Sequence, residues 1–414
     1  MPFTETMSYD VKEQIVVGAL IRNLRKEKKM SAADVSAFSG ISTQYLTEME
    51  KGTKKQSPSS LEAVFDTLNV KFNYDAEGLL SLCEEALENI LDLNSWQMNK
   101  EYFDYVKHLL ENDEIKYSYA YHYYLIFELM VAKVEDLEKL NKKIKLVFNV
   151  YDNKWKAVYY FILSKKYMYS KYELAYEYIN IAISYLSGDI STKLSANIYY
   201  IKSYIEDYLN LFTVAKESNR LARKIFDEHS AYKFSLTCDV DYGILLNNNG
   251  EYQQAQKVLE QALKVSKQYF PENMPITYGN LCNTYMLLEE YEKCIDMCYR
   301  GIELGYNSQF LSYYLINSLF RVNRKEECLK CINEFAHLKR NEYYEMMIEF
   351  IRVYYLDESK VHEVLMKLYG YSKQISPKMR ARILNLIIEN EEKNNNFENA
   401  VRYYKELVEI LKKN

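Results

Sequence analysis

The sequence predicts an all-α protein with two parts: a small N-terminal bundle of four to five helices, then a long right-handed superhelical solenoid of helix pairs. Three observations lead there. Only 11 Gly and 5 Pro punctuate 414 residues, so turn and strand-boundary signals are sparse and long helices are favoured. Apolar residues recur at the spacing of a helix with one buried face. A phrase of one aromatic followed by small residues returns at a nearly constant interval in the later part of the chain, which marks a repeat array.

Taking the elements in order, Val16, Leu20 and Leu24 with Val17 and Ile21 predict an amphipathic helix over 11–28. Ser31-Ala-Ala-Asp34 reads as a capping box for a short helix over 32–38. The serine oxygen accepts an orphaned backbone N–H, and Asp34 suits the positive helix end. Ser39, Gly40 and Ile41 predict a tight turn, with Gly40 taking positive φ, Ile41 plugging the core and Ser42 capping the next helix. That third helix is expected over 43–51, with Leu46 and Met49 inward, Thr43, Gln44, Thr47 and Glu48 outward, and Gly52 as its stop. Ser59-Ser-Leu-Glu62 reads as a second capping box, opening a fourth helix with Leu61, Val64, Phe65 and Leu68 inward. Domains at 1–72 and 73–414 are the result.

Charge separates the same two parts. The net charge is −5, yet from Val11 to Ser60 nine Lys or Arg stand against five acids, while the stretch from Leu61 onward carries −7. A basic module on an acidic body is expected where only the N-terminal part meets nucleic acid. No run of about 18 apolar residues occurs, and MPFTETMSYD lacks the basic and apolar regions of a leader. A cytoplasmic protein without a membrane partner is therefore expected. Seven Cys, an odd number, argue against a disulfide framework.

Residues 21–70 resemble the helix-turn-helix domain of Cro/C1-type (XRE-like) repressors, through Leu24-Arg25, Ser31, Gly40-Ile41-Ser42, the Glu50-x-Gly52 end of the third helix and Pro58-Ser59. The resemblance implies double-stranded DNA as partner, with Thr43, Gln44 and Glu48 reaching base edges in the major groove. Ser42, Thr47, Lys51, Lys54 and Lys55 would lie at phosphates. It also implies a partly buried ion pair between Arg25 and Glu50 that ties the first helix to the third. Two positions depart from the pattern. Ala32 replaces a polar residue that grips a phosphate, and Glu48 brings a carboxylate that can accept from a cytosine amino group but repels phosphates. Moderate affinity that depends on dimerisation, at a pseudo-palindromic operator, is the expectation.

The repeating phrase is Tyr172 with Ala175 and Ala182, Phe212 with Ala215 and Ala222, and Tyr252 with Ala255 and Ala262, the key alanines standing 40 residues apart. Tyr291 with Cys294 and Gly301 comes after 39, Lys325 to Cys328 is a weaker copy, and Phe397 to Ala400 closes the series. Small residues let two antiparallel helices approach while the aromatic fills the gap at the turn. The units resemble tetratricopeptide repeats, though longer than the usual ~34 residues and mostly without a final proline; about eight pairs are expected. The repeat frame places Asn197, Tyr200 and Tyr204, then Asn247, Asn283 and Asn317, on a concave wall, with Tyr160 and Tyr167 from the preceding unit. An amide offers both donor and acceptor, which suits the backbone of an extended peptide, and tyrosines would form side-chain pockets. The same asparagines also suit a solvated helix surface.

Other chemistry finds no support. Cys328 and Cys331 form C-x-x-C and Cys294 and Cys298 form C-x-x-x-C, but no His pair completes a zinc set, so core packing and no metal are expected. The five His are scattered, and neither H-E-x-x-H nor a Gly-rich phosphate loop occurs. No enzyme and no cofactor are expected.

A Cro/C1-like domain followed by a tetratricopeptide solenoid resembles the architecture of the peptide-pheromone receptors of Gram-positive bacteria, the Rgg, NprR, PlcR and PrgX (RRNPP) group, with Rap proteins as relatives lacking the DNA module. The resemblance implies a homodimeric transcription regulator of quorum sensing, whose repeat domain binds a short signalling peptide that changes dimer arrangement and DNA affinity. Two other functions fit the same parts: an arbitrium-like phage receptor governing lysis against lysogeny, and a repeat adaptor that binds and inhibits a protein partner without binding DNA.

Overall fold

The computed structural model describes residues 9–92, 100–186, 192–306, 308–372 and 377–413. Among them the chain forms α-helices joined by short turns and four single-turn 3-10 segments, and no strand. The all-α expectation holds. Cα packing divides the chain into two compact units, 1–238 and 239–414.

The first unit begins with α1 (Tyr9–Glu27), α2 (Ala32–Ser39), α3 (Thr43–Glu50), α4 (Pro58–Thr67) and α5 (Ala76–Asp92). It continues through α6 (Lys100–Leu110), α7 (Asp113–Lys116), α8 (Tyr121–Val131), α9 (Leu137–Lys145), α10 (Asn153–Tyr167), α11 (Tyr172–Tyr185), α12 (Lys193–Tyr208) and α13 (Phe212–Glu228). The division falls within α14 (Tyr232–Asn248). The second unit holds α15 (Tyr252–Tyr269), α16 (Met274–Leu287), α17 (Tyr291–Glu303), α18 (Gln309–Arg321), α19 (Lys325–Glu334), α20 (Glu342–Leu356), α21 (Val361–Ser372), α22 (Pro377–Lys393) and α23 (Phe397–Lys413).

The local rules for the bundle hold with one correction. Ser31 accepts from the Asp34 backbone N–H and Asp34 reaches back to Ser31, closing the capping box; Gly40 ends α2 at φ 73°; Ser42 caps α3. The fourth helix is capped by Ser57 instead of Ser59, because Pro58 occupies the first helical position. Proline has no N–H to orphan there and its φ is already helical.

The bundle shares its core with the helices behind it. One cluster of buried side chains runs from Val16 through Phe65 and Phe72 to Cys238. Phe72 stacks on Phe65 at 4.6 Å and meets the edge of Tyr119 at 5.1 Å. The buried Asn23 amide donates to the Tyr121 hydroxyl at 3.1 Å, and the Asn73 N–H donates to the Tyr117 carbonyl at 2.8 Å.

In the repeats, the phrase marks helix starts. Tyr172, Phe212, Tyr252, Tyr291 and Phe397 each open a helix, as does Lys325 of the weaker copy. The small residues of each phrase, from Ala175 and Ala182 to Ala400, are buried. Two residues before five of these helices the chain turns through positive φ, at Asn210, Gly250, Glu289, Asn323 and Asn395. In each case the next N–H donates back five residues, as from Leu211 to the Glu206 carbonyl at 2.8 Å and from Asn396 to the Glu391 carbonyl at 2.8 Å. These bonds satisfy carbonyls that the helix end would otherwise orphan. Part of the asparagine content is thereby explained, since Asn tolerates the left-handed region better than other non-glycine residues.

His122 sits buried on α8, its Nδ1 3.1 Å from the Tyr119 carbonyl, and burial pushes its pKa down to about 3. An unfolded histidine titrates near pH 6.5, so between those values the unfolded chain binds the extra proton and stability rises with pH. The unfolding free energy from urea titration should fall between pH 6.5 and pH 4 by up to about 1.4 kcal/mol per pH unit from this group, and the slope should flatten in His122→Asn. Equal slopes in the two proteins would refute this role.

Candidate nucleic-acid interface and ligand groove

The third helix rests on the first through glycine. A Cβ built on Gly18 would lie 2.1 Å from the Met49 carbonyl oxygen, and one on Gly52, at φ 65°, would lie 2.7 Å from the Ile15 Cα. Backbone therefore meets backbone at this crossing. Arg25 completes the attachment, with Nε 2.5 Å and Nη2 2.9 Å from the two Glu50 carboxylate oxygens and Nη1 donating to the Met30 carbonyl. Both side chains of the pair are largely buried, and the Glu50 hydrogen bond raises the Arg25 pKa above its ordinary value. The geometry is the bidentate fork in which Arg–carboxylate pairs are strongest and most directional.

With Leu46 and Met49 fully buried, α3 exposes Thr43 and Gln44, and Ser42, Lys51, Lys54 and Lys55 are exposed around it. Several of these groups already have partners. The Ser42 hydroxyl accepts from the Tyr45 N–H, and Thr47 donates to the Thr43 carbonyl at 2.8 Å. Glu48 accepts from Gln44 at 3.3 Å and lies 3.3 Å from the Lys54 ammonium. Those hydrogen bonds, Gln44 first, hold its carboxyl below the ordinary range. The carboxylate thus carries its own counter-ion, which softens the repulsion of phosphates expected from the sequence.

The residues expected on the concave wall fall in both units. In the first, the half-buried Tyr160 packs against Tyr178 at 6.0 Å and stacks with Tyr185 at 5.8 Å, and Tyr167 lies 6.0 Å from Tyr178. Tyr204 meets Tyr208 at 4.9 Å and Tyr169 at 6.1 Å, and Tyr208 stacks on Tyr172 at 4.6 Å. Tyr200 and Asn197 are buried, the Asn197 amide donating to the Lys193 carbonyl at 2.9 Å.

In the second unit Asn247 is buried and donates to the Thr284 hydroxyl at 2.9 Å, and Asn283 is half-buried. Asn317 lies 3.4 Å from the Tyr313 hydroxyl and lines a pocket of about 310 Å³ between α16, α17, α18, α20 and α22. The expected asparagines therefore do not form a row of equally open amides. The same pocket takes in Tyr291, the aromatic of one repeat phrase, together with Tyr343, Arg321, Arg382 and Glu389, which the repeat frame does not single out. Arg382 and Glu389 lie on α22, whose sequence carries no copy of the phrase, and Arg321 ends its helix beyond the frame.

The cysteines also differ from their spacing. All seven are buried, and Cys282 on α16 joins Cys294 and Cys298 on α17, so that the three sulfurs lie within 4.8 Å of one another. Burial pushes the Cys282 and Cys298 thiols well up, and the Cys294 thiol donates to the Cys282 carbonyl at 3.3 Å.

The bundle and the repeats together define a helix-turn-helix protein with a helical-repeat body. A helix-turn-helix family model matches residues 21–74, of XRE type. No curated protein matches in sequence. Among solved structures, the apo form of RapI superposes at a TM-score of 0.61 with 18% identity, covering 81% of this chain and 98% of that one. The apo form of the quorum sensor NprR from B. thuringiensis reaches 0.64 with 15% identity over 81% and 99%. NprR in complex with its cognate peptide NprX reaches 0.56 with 16% identity over 82% and 99%. The chain thus shares the helical-repeat fold of RapI and NprR. Among the described residues no helix is long and apolar enough to cross a membrane.

The geometry yields two expected outcomes. Gly18→Ala, which favours an isolated helix, should instead destabilise the protein by about 1–3 kcal/mol through overpacking and displace α3 from α1; an unchanged melting temperature would show that the crossing has slack. Disulfide-exchange titration should find almost no reactive thiol in the native chain and seven after denaturation; rapid reaction of any of them without denaturant would contradict the burial.

Proposed function

We propose that this chain is a DNA-binding transcription regulator of quorum-sensing type, cytoplasmic and homodimeric, in which residues 1–72 read an operator and residues 73–414 bind a short signalling peptide and dimerise. The observation that carries the reading is the recognition helix: α3 is locked by the Arg25–Glu50 fork and by Gly18, yet leaves Thr43, Gln44 and Lys51 exposed. The repeat body supports the peptide half, because a protein of the same fold, NprR, is known in complex with its cognate peptide. No catalytic role is assigned to any residue.

The energetics suit a switch. One helix-turn-helix offers too little interface for tight binding, so two modules held about one DNA turn apart gain through effective concentration. A peptide that favours one dimer arrangement shifts occupancy by no more than its differential affinity for the two arrangements. The Asn23–Tyr121 bond and the shared core mean that the module moves with the helices behind it, not as a bead on a linker.

The test is binding to the DNA upstream of the chain's own gene as salt is varied. Affinity should fall steeply with salt, and the combined Gln44→Ala and Lys51→Ala variant should bind at least about 10-fold more weakly with unchanged circular dichroism and mass. An unchanged footprint would remove these residues from the interface. No DNA binding at any salt, with a protein partner retained, would favour the adaptor function.

A further inference from the structure

We propose that the pocket of the second unit is a carboxylate-recognition subsite, in which Arg321 on α18 and Arg382 on α22 take a carboxylate of the bound peptide, supplied by an acidic side chain or by its C-terminus. The proposal rests on the peptide-receptor reading and adds the chemistry that the peptide must carry.

Most arginines of the second unit pair with carboxylates, and Arg402 lies over the Tyr403 ring at 5.2 Å. Arg324 pairs with Glu292 at 2.7 Å and Arg340 with Glu345 at 3.4 Å. Arg380, two positions before Arg382, is held by Glu406 at 2.5 Å. Arg321 and Arg382 have no carboxylate partner among the described residues, although both line one pocket. A guanidinium has five donors in a planar fork that matches a carboxylate in two parallel hydrogen bonds. Two forks facing one space, both unspent, are the complement of a carboxylate.

The surroundings narrow the ligand further. The pocket, about 310 Å³, also presents Tyr291, Tyr313, Tyr343 and the Asn317 amide, so hydroxyl and amide groups able to hydrogen-bond a peptide stand beside the two guanidinium groups. Glu289 and Glu389 line it as well. Their charges disfavour a phosphate or a polyanion and suit a ligand carrying charges of both signs, as a peptide does. A second pocket of about 330 Å³ shares Arg321, Leu386 and Glu389 with the first and adds Phe320, Phe350 and Tyr354. The shared wall continues past the carboxylate position, so the ligand is extended and has apolar side chains next to its acidic group.

The experiment uses the full-length chain and a mixed library of synthetic hexapeptides in four forms: with or without one Asp or Glu, each as free acid or C-terminal amide. Retained peptides are read by mass spectrometry. The wild-type chain should enrich carboxylate-bearing members at least about 10-fold over neutral amides, as expected for a charge-assisted bidentate contact. Dependence on the side chain or on the C-terminal form identifies the source. Arg321→Gln and Arg382→Gln should lose that preference while still retaining peptides and melting normally, and Arg382→Lys should restore part of it. Peptides retained with no preference for a carboxylate would overturn the subsite and leave the receptor reading standing. No retention of any peptide by the wild-type chain would overturn both. If the glutamine variants fail to fold, an amide-for-acid exchange within one retained peptide, measured on the wild-type chain, decides the same point.

Discussion

Everything in the repeats depends on how closely two helices can approach. Ala175, Ala182, Ala215, Ala222 and Ala255 are buried completely, and Cys294 and Cys328 fill the equivalent place where the series departs from alanine. At such a crossing a side chain larger than a methyl or a thiol would hold the helices apart and open voids on either side, and a closely packed interior tolerates neither. Those small residues therefore return once per helix pair, every 40 residues from Ala175 to Ala255, and the aromatic at each helix start is their complement. Tyr172 shows how the complement works: at the start of α11 its ring stacks at 4.6 Å on Tyr208, the last residue of α12.

The same constraint governs the helix-turn-helix bundle in a more extreme form. Where the repeats use alanine, α1 uses Gly18, and the crossing with α3 is tight enough that not even a methyl group fits. A glycine inside a helix costs roughly 0.5–1 kcal/mol relative to alanine, so it persists where backbone contact offsets that loss. The Arg25–Glu50 fork then fixes the rotation of α3 about its axis, and so decides which residues face outward. Orientation of α3 is thus set by one close approach and one ion pair, both made within the bundle.

Much of this was legible in the sequence, and the reasons are local. The Ser31 box, the Gly40 turn, the Ser42 cap and the Arg25–Glu50 pair each depend on a few residues at short range or on a motif with fixed spacing. The repeat phrase was legible because a period is visible without knowing any contact. The features that escape a reading of the sequence have the opposite character. Ser57 takes the cap from Ser59 because Pro58 is better placed at the first helical position, a competition between two adequate signals. Gly18 belongs to no motif, although a glycine within a strong helical pattern is itself a sign of close packing. The asparagines are ambiguous because one residue type serves two needs, an amide for a ligand and a tolerance of positive φ. Asn210, Asn323 and Asn395 answer the second need, while Asn317 alone of the expected wall asparagines lines the 310 Å³ pocket. Arg321 and Arg382 come together across 61 residues of chain, and no local pattern announces such a meeting.

These two kinds of information divide along the division of labour proposed for the protein. Reading DNA requires a rigid presentation of a few side chains, so its determinants are short-range and leave a recognisable motif. Sensing a peptide requires a surface whose specificity can change while its scaffold does not, so the scaffold positions are periodic and the recognising ones are not. A repeat fold meets that need because the small buried positions fix the helix crossings, and the residues between them remain free to vary. The low identity to RapI and NprR at nearly full coverage of their chains is consistent with that freedom. The crossings preserve the shape, and pocket residues outside the repeating phrase, such as Arg321 and Arg382, are where a receptor of this build would acquire its own ligand.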